Sequence, residues 1–287
     1  MLPNPSPLIQ PSELLSIRTT KDWVLIDASN GPGAAEAYAK SHLEGARHVD
    51  LNTDLATILP DAAVGGRHPL PSPAKFAQVL SRLGITPSTP VMVYDSSNAA
   101  NAAARFWWML KAIGHAQVQV VDGGMQAAVA AGFPVSSEVP VVAETAPYPV
   151  AEWNLPLADI AEIDRIAQDP RHLVIDVRDN YRYLGESEPI DLIAGHIPGA
   201  INVPFSTNLD ENGSFLGEET LRAKYLEVFG NRKAADIVVH CGSGVTACHT
   251  LLAVAAAGLA IPKLYVGSWS EWSRNNRPMV TMANPGE

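Results

Sequence analysis

The amino-acid sequence predicts an α/β protein of two similar domains, each a parallel sheet flanked by helices, related by internal duplication. The chain has 287 residues, which is long for one hydrophobic core and suggests about two domains. Within each half, short apolar runs rich in β-branched residues alternate with helical patterns. Such alternation is typical of parallel strands joined by crossover helices.

The internal repeat consists of four motifs that recur in the same order, at an offset of about 150 residues, close to one domain. The paired segments are 24–27 with 174–176, 42–46 with 196–200, 91–95 with 237–241, and 120–124 with 264–268. Features shared by both copies are expected to maintain the fold, whereas a feature of one copy is a candidate for function. We therefore interpret the matching His42 and His196 as structural residues that fix loops by hydrogen bonds. The matching Asp27 and Asp176 are interpreted as structural too.

The boundary between the domains is predicted from proline content. The stretch 134–156 is rich in proline and lacks periodicity, which is typical of an extended linker. The predicted organisation is a first domain over residues 1–136, a linker over 137–157 and a second domain over 158–287.

Composition limits the classes of partner. Hydrophobic residues make up 47% of the chain and the formal net charge is -10, which argue for a soluble protein that binds neither nucleic acid nor anionic membrane. Neither the N-terminal ten residues nor the apolar stretch 251–261 resembles a signal peptide or a membrane span. The two cysteines, Cys241 and Cys248, are separated by a predicted helix start, so we expect no disulfide and a reducing, cytoplasmic compartment.

The segment 237–247 indicates the chemistry most clearly. It is predicted to be a buried strand, a glycine-containing loop and a helix start, with Cys241 where the strand ends. A cysteine there faces backbone N–H groups and the positive end of a helix dipole, which favour a nucleophilic thiolate. The first copy has Asp95 at this position, so only the second half carries the nucleophile. In that first copy, Ser97–Asn98 is predicted to cap the helix that runs toward Gly114.

Three segments together resemble tandem-domain rhodanese-type sulfurtransferases, over nearly the whole chain. They are Gly-His-Ile-Pro-Gly-Ala at 195–200, Cys-Gly-Ser-Gly-Val-Thr at 241–246 and Gly-Ser-Trp-Ser-Glu-Trp at 267–272. The resemblance implies two rhodanese-like domains, of which the first is inactive and the second catalytic. It also implies a cysteine persulfide intermediate and no need for a metal or organic cofactor.

The loop after the cysteine separates subgroups of this family. Members that use thiosulfate resemble Cys-Arg-Lys-Gly-Val-Thr, and members that use 3-mercaptopyruvate resemble the sequence found here. A loop without cations also suits a less charged donor. One departure points toward thiosulfate. The mercaptopyruvate subgroup has a second arginine shortly after Glu-Pro, whereas Glu188-Pro189 leads here into Ile190. Because the loop sequence matches the mercaptopyruvate subgroup and lacks cations, mercaptopyruvate is the expected donor. Thiosulfate is the alternative, because the second arginine is missing.

The resemblance also implies roles for individual residues. Arg182 matches an arginine whose planar fork clamps the substrate carboxylate. Asp50 and His68 match first-domain residues that line the cleft near the nucleophile, and Ser243 matches a hydroxyl that relays protons with them. The amides of the loop are expected to stabilise negative charge on sulfur, which makes the substrate-binding set Gly242, Gly244, Val245 and Thr246 together with Arg182. The expected acceptors are cyanide, a small thiol or a thioredoxin-like protein.

Two functions from other classes compete with this interpretation. A cysteine phosphatase needs a Cys-x5-Arg loop to hold phosphate, but position 247 is Ala and the loop has no cation. A non-catalytic carrier that holds a persulfide for a partner stays open, and retention of sulfur without turnover would indicate it.

Overall fold

The chain divides into two compact units in the structure, a computed structural model that describes residues 6–20 and 22–282. Unit 1 comprises Met1–Thr57, Pro71–Asn154 and Glu211–Phe215, and unit 2 comprises Ile58–Leu70, Leu155–Asp210 and Leu216–Glu287. The segment Ile58–Leu70 comes from the first half of the sequence but belongs to unit 2. Two hydrogen bonds attach this segment to unit 2. The Gly65 N–H donates to Glu271 Oε1 over 2.8 Å, and the Arg67 N–H donates to Ser270 Oγ over 3.0 Å.

Unit 1 contains a five-stranded parallel sheet in the order β4-β2-β5-β6-β1, and an antiparallel pair of β3 and β7. Its strands are β1 (Leu8–Ile9), β2 (Val24–Asp27), β3 (His42–Leu43), β4 (Arg47–His48), β5 (Val91–Tyr94), β6 (Val118–Val121) and β7 (Val135–Ser136). Its helices are α1 (Pro11–Ile17), α2 (Ala34–Lys40), α3 (Pro73–Arg82), α4 (Ala103–Ala112) and α5 (Gly124–Ala130).

Unit 2 contains a five-stranded parallel sheet in the order β10-β9-β11-β12-β8. Its strands are β8 (Leu157–Ala158), β9 (Leu173–Asp176), β10 (Ile201–Asn202), β11 (Ile237–His240) and β12 (Lys263–Tyr265). Its helices are α6 (Ile160–Ile166), α7 (Asn180–Tyr183), α8 (Glu218–Phe229), α9 (Ala247–Ala256) and α10 (Ser268–Trp272), with short 3₁₀ helices at Phe205–Asn208 and Ala234–Asp236.

The two sheets have the same strand order, and their central strands pair in the same register. Asp27 of β2 lies opposite Tyr94 of β5, and Asp176 of β9 lies opposite His240 of β11. The residues that follow these partners, Asp95 and Cys241, therefore occupy equivalent places at the carboxyl ends of the central strands. The predicted fold class, two α/β domains with parallel sheets flanked by helices, is confirmed.

Helices cover both faces of each parallel sheet, so the central strands are buried on both sides. Each strand position must therefore be apolar, or its polar group must be hydrogen-bonded. All four residues of β2, β5, β9 and β11 are buried. In unit 2 the core also includes Trp269 and Trp272, at 0% and 2% exposure. Among the residues that the structure describes, no helix combines the length and apolar character needed to cross a membrane.

The structural interpretation of the two matching histidines is confirmed. His42 Nδ1 lies 2.7 Å from the Tyr38 carbonyl oxygen, and His196 Nδ1 lies 2.8 Å from that of Tyr183. Each ring also stacks on the tyrosine whose carbonyl it contacts, with centroids 4.1 Å and 3.7 Å apart. Each histidine thus fastens a loop to the helix before it.

The predicted cap at Ser97–Asn98 is wrong, since helix α4 begins later, at Ala103. The buried Asp95 carboxylate takes over the capping role. It accepts hydrogen bonds from the N–H groups of Ser97, Ala99 and Ala103, over 2.8, 3.0 and 3.1 Å. Asn98 and Ala99 adopt left-handed conformations with φ of 54° and 63°, which interrupts the helix there.

Candidate functional site

Cys241 lies where the sequence predicted, directly after strand β11 and before the loop that leads into helix α9. Its side chain is buried, with the residue only 3% exposed. The second cysteine, Cys248, lies inside α9 and is fully buried, as expected of a residue that packs in the core.

The backbone of Cys241 is held on both sides by the turn at the start of helix α10. Its N–H donates to Ser268 Oγ over 3.2 Å, and its carbonyl accepts the N–H of Trp269 over 3.0 Å. The next carbonyl, of Gly242, accepts the N–H of Ser270 over 2.8 Å. Ser268 achieves this with φ of 54°, a region that a non-glycine residue rarely adopts. Strained residues of this kind persist where the surrounding structure over-determines them, often at functional sites.

The loop after Cys241 depends on a glycine at position 244. Gly244 has φ of +73°, and a Cβ built on it would lie 2.5 Å from the Val266 carbonyl oxygen. Only glycine fits here, because the two backbone segments approach too closely to leave room for a side chain. The Cys248 thiol donates to the Gly244 carbonyl over 3.4 Å, so helix α9 holds the loop from the other side.

Two of the predicted proton-relay residues, His68 and Ser243, lie within hydrogen-bond distance of each other. His68 Nδ1 lies 2.8 Å from Ser243 Oγ, and Ser243 is two residues after Cys241. His68 was expected from the first domain, but it belongs to Ile58–Leu70 and hence to unit 2. The pair is therefore part of the same compact unit as Cys241.

Asp50, the third predicted relay residue, belongs to unit 1. Its carboxylate closes a turn there, because Oδ1 accepts the N–H groups of Asn52 and Thr53, both over 2.8 Å. The structure thus gives Asp50 a local structural role.

Arg182, the predicted carboxylate clamp, is already engaged by carboxylates of the protein. Its Nε lies 3.0 Å from both oxygens of Glu188, and its Nη2 lies 2.7 Å from Glu188 Oε1 and 3.4 Å from Asp191 Oδ2. Burial alone would raise the pKa of Glu188, but hydrogen bonds from Arg182 and from backbone amides outweigh it and lower that pKa. Glu188 is therefore ionised at neutral pH and fixes the Arg182 fork.

A group of charged residues that the sequence did not point to surrounds Asp191, whose side chain is completely buried. Arg67 Nε donates to Asp191 Oδ1 over 3.0 Å, and Arg274 Nη1 approaches the same oxygen to 3.3 Å. With the contact from Arg182, three arginines converge on one carboxylate. Arg67 stands beside the predicted His68, and Asp191 closely follows Glu-Pro. In the sequence, these positions next to His68 and Glu-Pro are the signals that could have pointed to Arg67 and Asp191.

The family of the chain can now be assigned. The model of the rhodanese-like domain matches residues 10–131 and 159–275. The chain is 38% identical to a Pseudomonas aeruginosa protein described as "Probable 3-mercaptopyruvate sulfurtransferase", with 90% of each chain covered. It is 35% identical to the thiosulfate sulfurtransferase of Rattus norvegicus, covering 88% of this chain and 86% of the relative. The solved 3-mercaptopyruvate sulfurtransferase from Leishmania major is 31% identical, with a TM-score of 0.78, covering 96% of this chain and 76% of that one.

These similarities extend over both halves of the chain and over the site around Cys241. The protein belongs to the rhodanese-like family, with one such domain in each half. It is a sulfurtransferase of the mercaptopyruvate and thiosulfate type.

Proposed function

We propose that the protein transfers a sulfur atom from 3-mercaptopyruvate to a thiol or cyanide acceptor, through a persulfide on Cys241. The observation that carries this proposal is the buried cysteine at the end of β11, with Ser243 and His68 in hydrogen-bond contact beside it. The cation-free loop supports mercaptopyruvate over a dianionic donor. The similarity to mercaptopyruvate sulfurtransferases supports the same donor.

The first half-reaction forms one bond and breaks another. The Cys241 thiolate bonds to the donor sulfur while the donor's carbon–sulfur bond breaks. The electron pair of that bond becomes the enolate of pyruvate, and protonation of its carbon releases pyruvate. An acceptor thiolate or cyanide then attacks the outer sulfur and regenerates the Cys241 thiolate.

The neighbouring residues have distinct proposed roles. The loop amides from Gly242 to Thr246 stabilise the negative charge on sulfur. His68 and Ser243 move the proton that the enolate requires, and Asp50 is the third residue that we assign to this relay. Arg182 orients the donor carboxylate. We propose that the second half of the chain is catalytic and the first half is not, because the residue equivalent to Cys241 is Asp95.

Thiosulfate is the second candidate donor, and a specific observation favours it. The Nε and Nη2 of Arg182 are already bonded to Glu188 and Asp191, and position 190 carries Ile instead of a second arginine. With thiosulfate, the sulfur–sulfur bond breaks and sulfite leaves with the electron pair. Cys241 would form the same persulfide.

Replacement of the nucleophile tests the proposal. Cys241→Ser should abolish turnover with either donor and leave folding intact, since the side chains are close in size. Cys248→Ser is the matched control and should retain activity. Intact mass after exposure to donor should show one added sulfur in the wild type and none in Cys241→Ser. Substantial turnover by Cys241→Ser would refute the persulfide route, and retained sulfur without turnover would indicate a carrier.

The preferred donor is decided by comparing kcat/KM for mercaptopyruvate and thiosulfate in one enzyme preparation, with cyanide as the acceptor. We expect the larger value for mercaptopyruvate. A larger value for thiosulfate would assign the second candidate.

The free cysteines fit a reducing compartment, and we propose a cytoplasmic location.

A further inference from the structure

Helix α8 of unit 2 carries a lysine whose amino group is bonded to neutral side chains. Lys224 is half-buried, and its Nζ donates to Asn208 Oδ1 over 2.7 Å and to Thr207 Oγ1 over 2.5 Å. Among residues 6–20 and 22–282, no carboxylate is paired with this amine. Lys263 of the same unit differs, because its Nζ lies 2.6 Å from Glu162 Oε1.

The surroundings of Lys224 favour the neutral amine over the ammonium ion. Burial lowers the pKa of Lys224 to about 8. The contacts agree with this direction, because an ammonium group has three N–H donors and the protein supplies two acceptors. The neighbouring Tyr225 adds no negative charge, since burial raises the pKa of its phenol. At pH 7, about 10% of amines with this pKa are neutral, compared with roughly 0.04% of ordinary lysine amines.

The amine lies at the edge of a buried polar cluster, where a small molecule in solution can reach it. Asn208 is fully buried, but Thr207 on the other side of the amine is exposed. In the neutral form, the two hydrogens of Lys224 Nζ are directed to Asn208 and Thr207. The lone pair is then left for an incoming electrophile, and a desolvated lysine amine of this kind is a nucleophile.

The same cluster joins α8 to the helix that follows the Cys241 loop. Asn208 Oδ1 also accepts the Tyr225 hydroxyl over 2.6 Å. Asn208 Nδ2 lies 3.4 Å from both His249 Nδ1 and Thr250 Oγ1, which belong to α9. A change at the α8 amine is therefore transmitted, through the Asn208 amide, to α9.

We propose that Lys224 is an acylation site, at which activated acyl donors, acyl phosphates or acyl thioesters, modify the protein. The Nζ lone pair attacks the acyl carbon, and the bond from that carbon to oxygen or sulfur breaks. Phosphate or thiolate leaves with the electron pair of that bond, and Nζ gives a proton to solvent and becomes an amide. The amide has one N–H and no charge, so Asn208 or Thr207 loses its donor and the connection to α9 weakens. No sulfur transfer is involved, so the inference is independent of the proposed function.

The test measures the acetylation rate of each lysine in the wild-type protein by mass spectrometry of its peptides. Acetyl phosphate and acetyl-coenzyme A are used in separate reactions, which distinguishes the two kinds of donor. A less basic amine is a weaker nucleophile, which cancels part of the gain from its larger neutral fraction. We therefore expect Lys224 to react about 10-fold faster than Lys263 at pH 7, with at least one of the donors.

The pH dependence of the same reaction provides a second criterion. The rate at Lys224 should level off above about pH 8, whereas the rate at an ordinary lysine keeps rising to pH 9. Equal rates at Lys224 and Lys263 with both donors would overturn the inference. A rate at Lys224 that rises steadily to pH 9 would overturn it too.

Hydrogen exchange tests the connection to α9. Lys224→Gln imitates the acylated side chain, and Lys263→Gln is the matched control because it removes a lysine from the same unit. The α9 amides should exchange about 3- to 10-fold faster in Lys224→Gln than in the wild type, because Asn208 loses a donor. Lys263→Gln should leave them within about twofold of the wild type. Equal exchange in the two variants would overturn the proposed connection.

Discussion

The substitution Gly244→Ala measures how tightly the Cys241 loop is locked to its surroundings. Alanine at φ of +73° costs about 1 kcal/mol through left-handed strain alone. Its Cβ would also lie 2.5 Å from the Val266 carbonyl oxygen and 2.9 Å from Val266 Cα, both backbone atoms at the end of β12 that cannot turn away. Overpacking of this kind adds about 1–3 kcal/mol, so we expect a loss of about 2–4 kcal/mol in local stability.

The matched control is Gly258→Ala in the same unit. Gly258 has φ of +66°, but the nearest atom to its Cβ is Glu218 Oε1 at an ordinary 3.5 Å. It should lose only the strain of about 1 kcal/mol, so the difference between the two variants isolates the clash. Because the chain has two units, local stability is best measured by native-state hydrogen exchange of the α9 amides.

Activity provides the second measurement for the same pair. A shift of about 1 Å in the loop displaces Cys241 from its hydrogen bonds and can cost about 100-fold in the rate of persulfide formation. Gly258→Ala should keep a rate close to that of the wild type. The reasoning is refuted if Gly244→Ala costs no more stability than Gly258→Ala and forms persulfide equally fast.

Two further predictions concern buried carboxylates. Asp95→Ala removes the acceptor of three backbone N–H groups and should lower the free energy of unfolding by about 2–4 kcal/mol, with Asp95→Asn intermediate; an unchanged urea midpoint would contradict this. The pKa of Glu188 is lowered in the folded protein, so its stabilising contribution is complete above its unfolded pKa of about 4.3 and is lost as pH falls through the folded value. Urea unfolding between pH 3 and 7 should therefore show Glu188→Gln less stable than the wild type at pH 6, with the gap closing in acid. A gap that is independent of pH would exclude an ionised Glu188 as its source.

The fold could be predicted because its determinants repeat in order along the chain. Each central strand is a short apolar run, and each repeat places a polar residue at the strand end, Asp95 in one and Cys241 in the other. The apolar run of each strand and the polar residue that ends it are local properties of the sequence. The comparison of the copies also separated the structural His42 and His196, which occur in both copies, from Cys241, which occurs in one.

The charged part of the site could not be predicted because its contacts are distant in sequence. Arg67 and Asp191 are 124 positions apart, and no local pattern announces their pairing. Burial then decides the partners, since a carboxylate with no exposed side-chain surface must be compensated by nearby cations. The resemblance led us to Arg182 as a clamp for the substrate, but it could not reveal that Glu188 engages the same guanidinium. The misplaced cap at Ser97–Asn98 has a similar cause, because a buried acceptor, Asp95, outcompeted the local preference.

The two copies share one backbone arrangement at the carboxyl end of the central strand. In unit 1, the carboxyl end of the central strand gathers three N–H donors around one buried acceptor, the carboxyl group of Asp95. In unit 2 the same strand order and register bring Cys241 to the equivalent place. The turn after the next strand also matches, because the Met125 N–H donates to the Asp95 carbonyl as the Trp269 N–H does to that of Cys241. A strand end that gathers backbone N–H donors around an acceptor in unit 1 is suited to stabilise a thiolate, and then the proposed persulfide, at the equivalent strand end in unit 2.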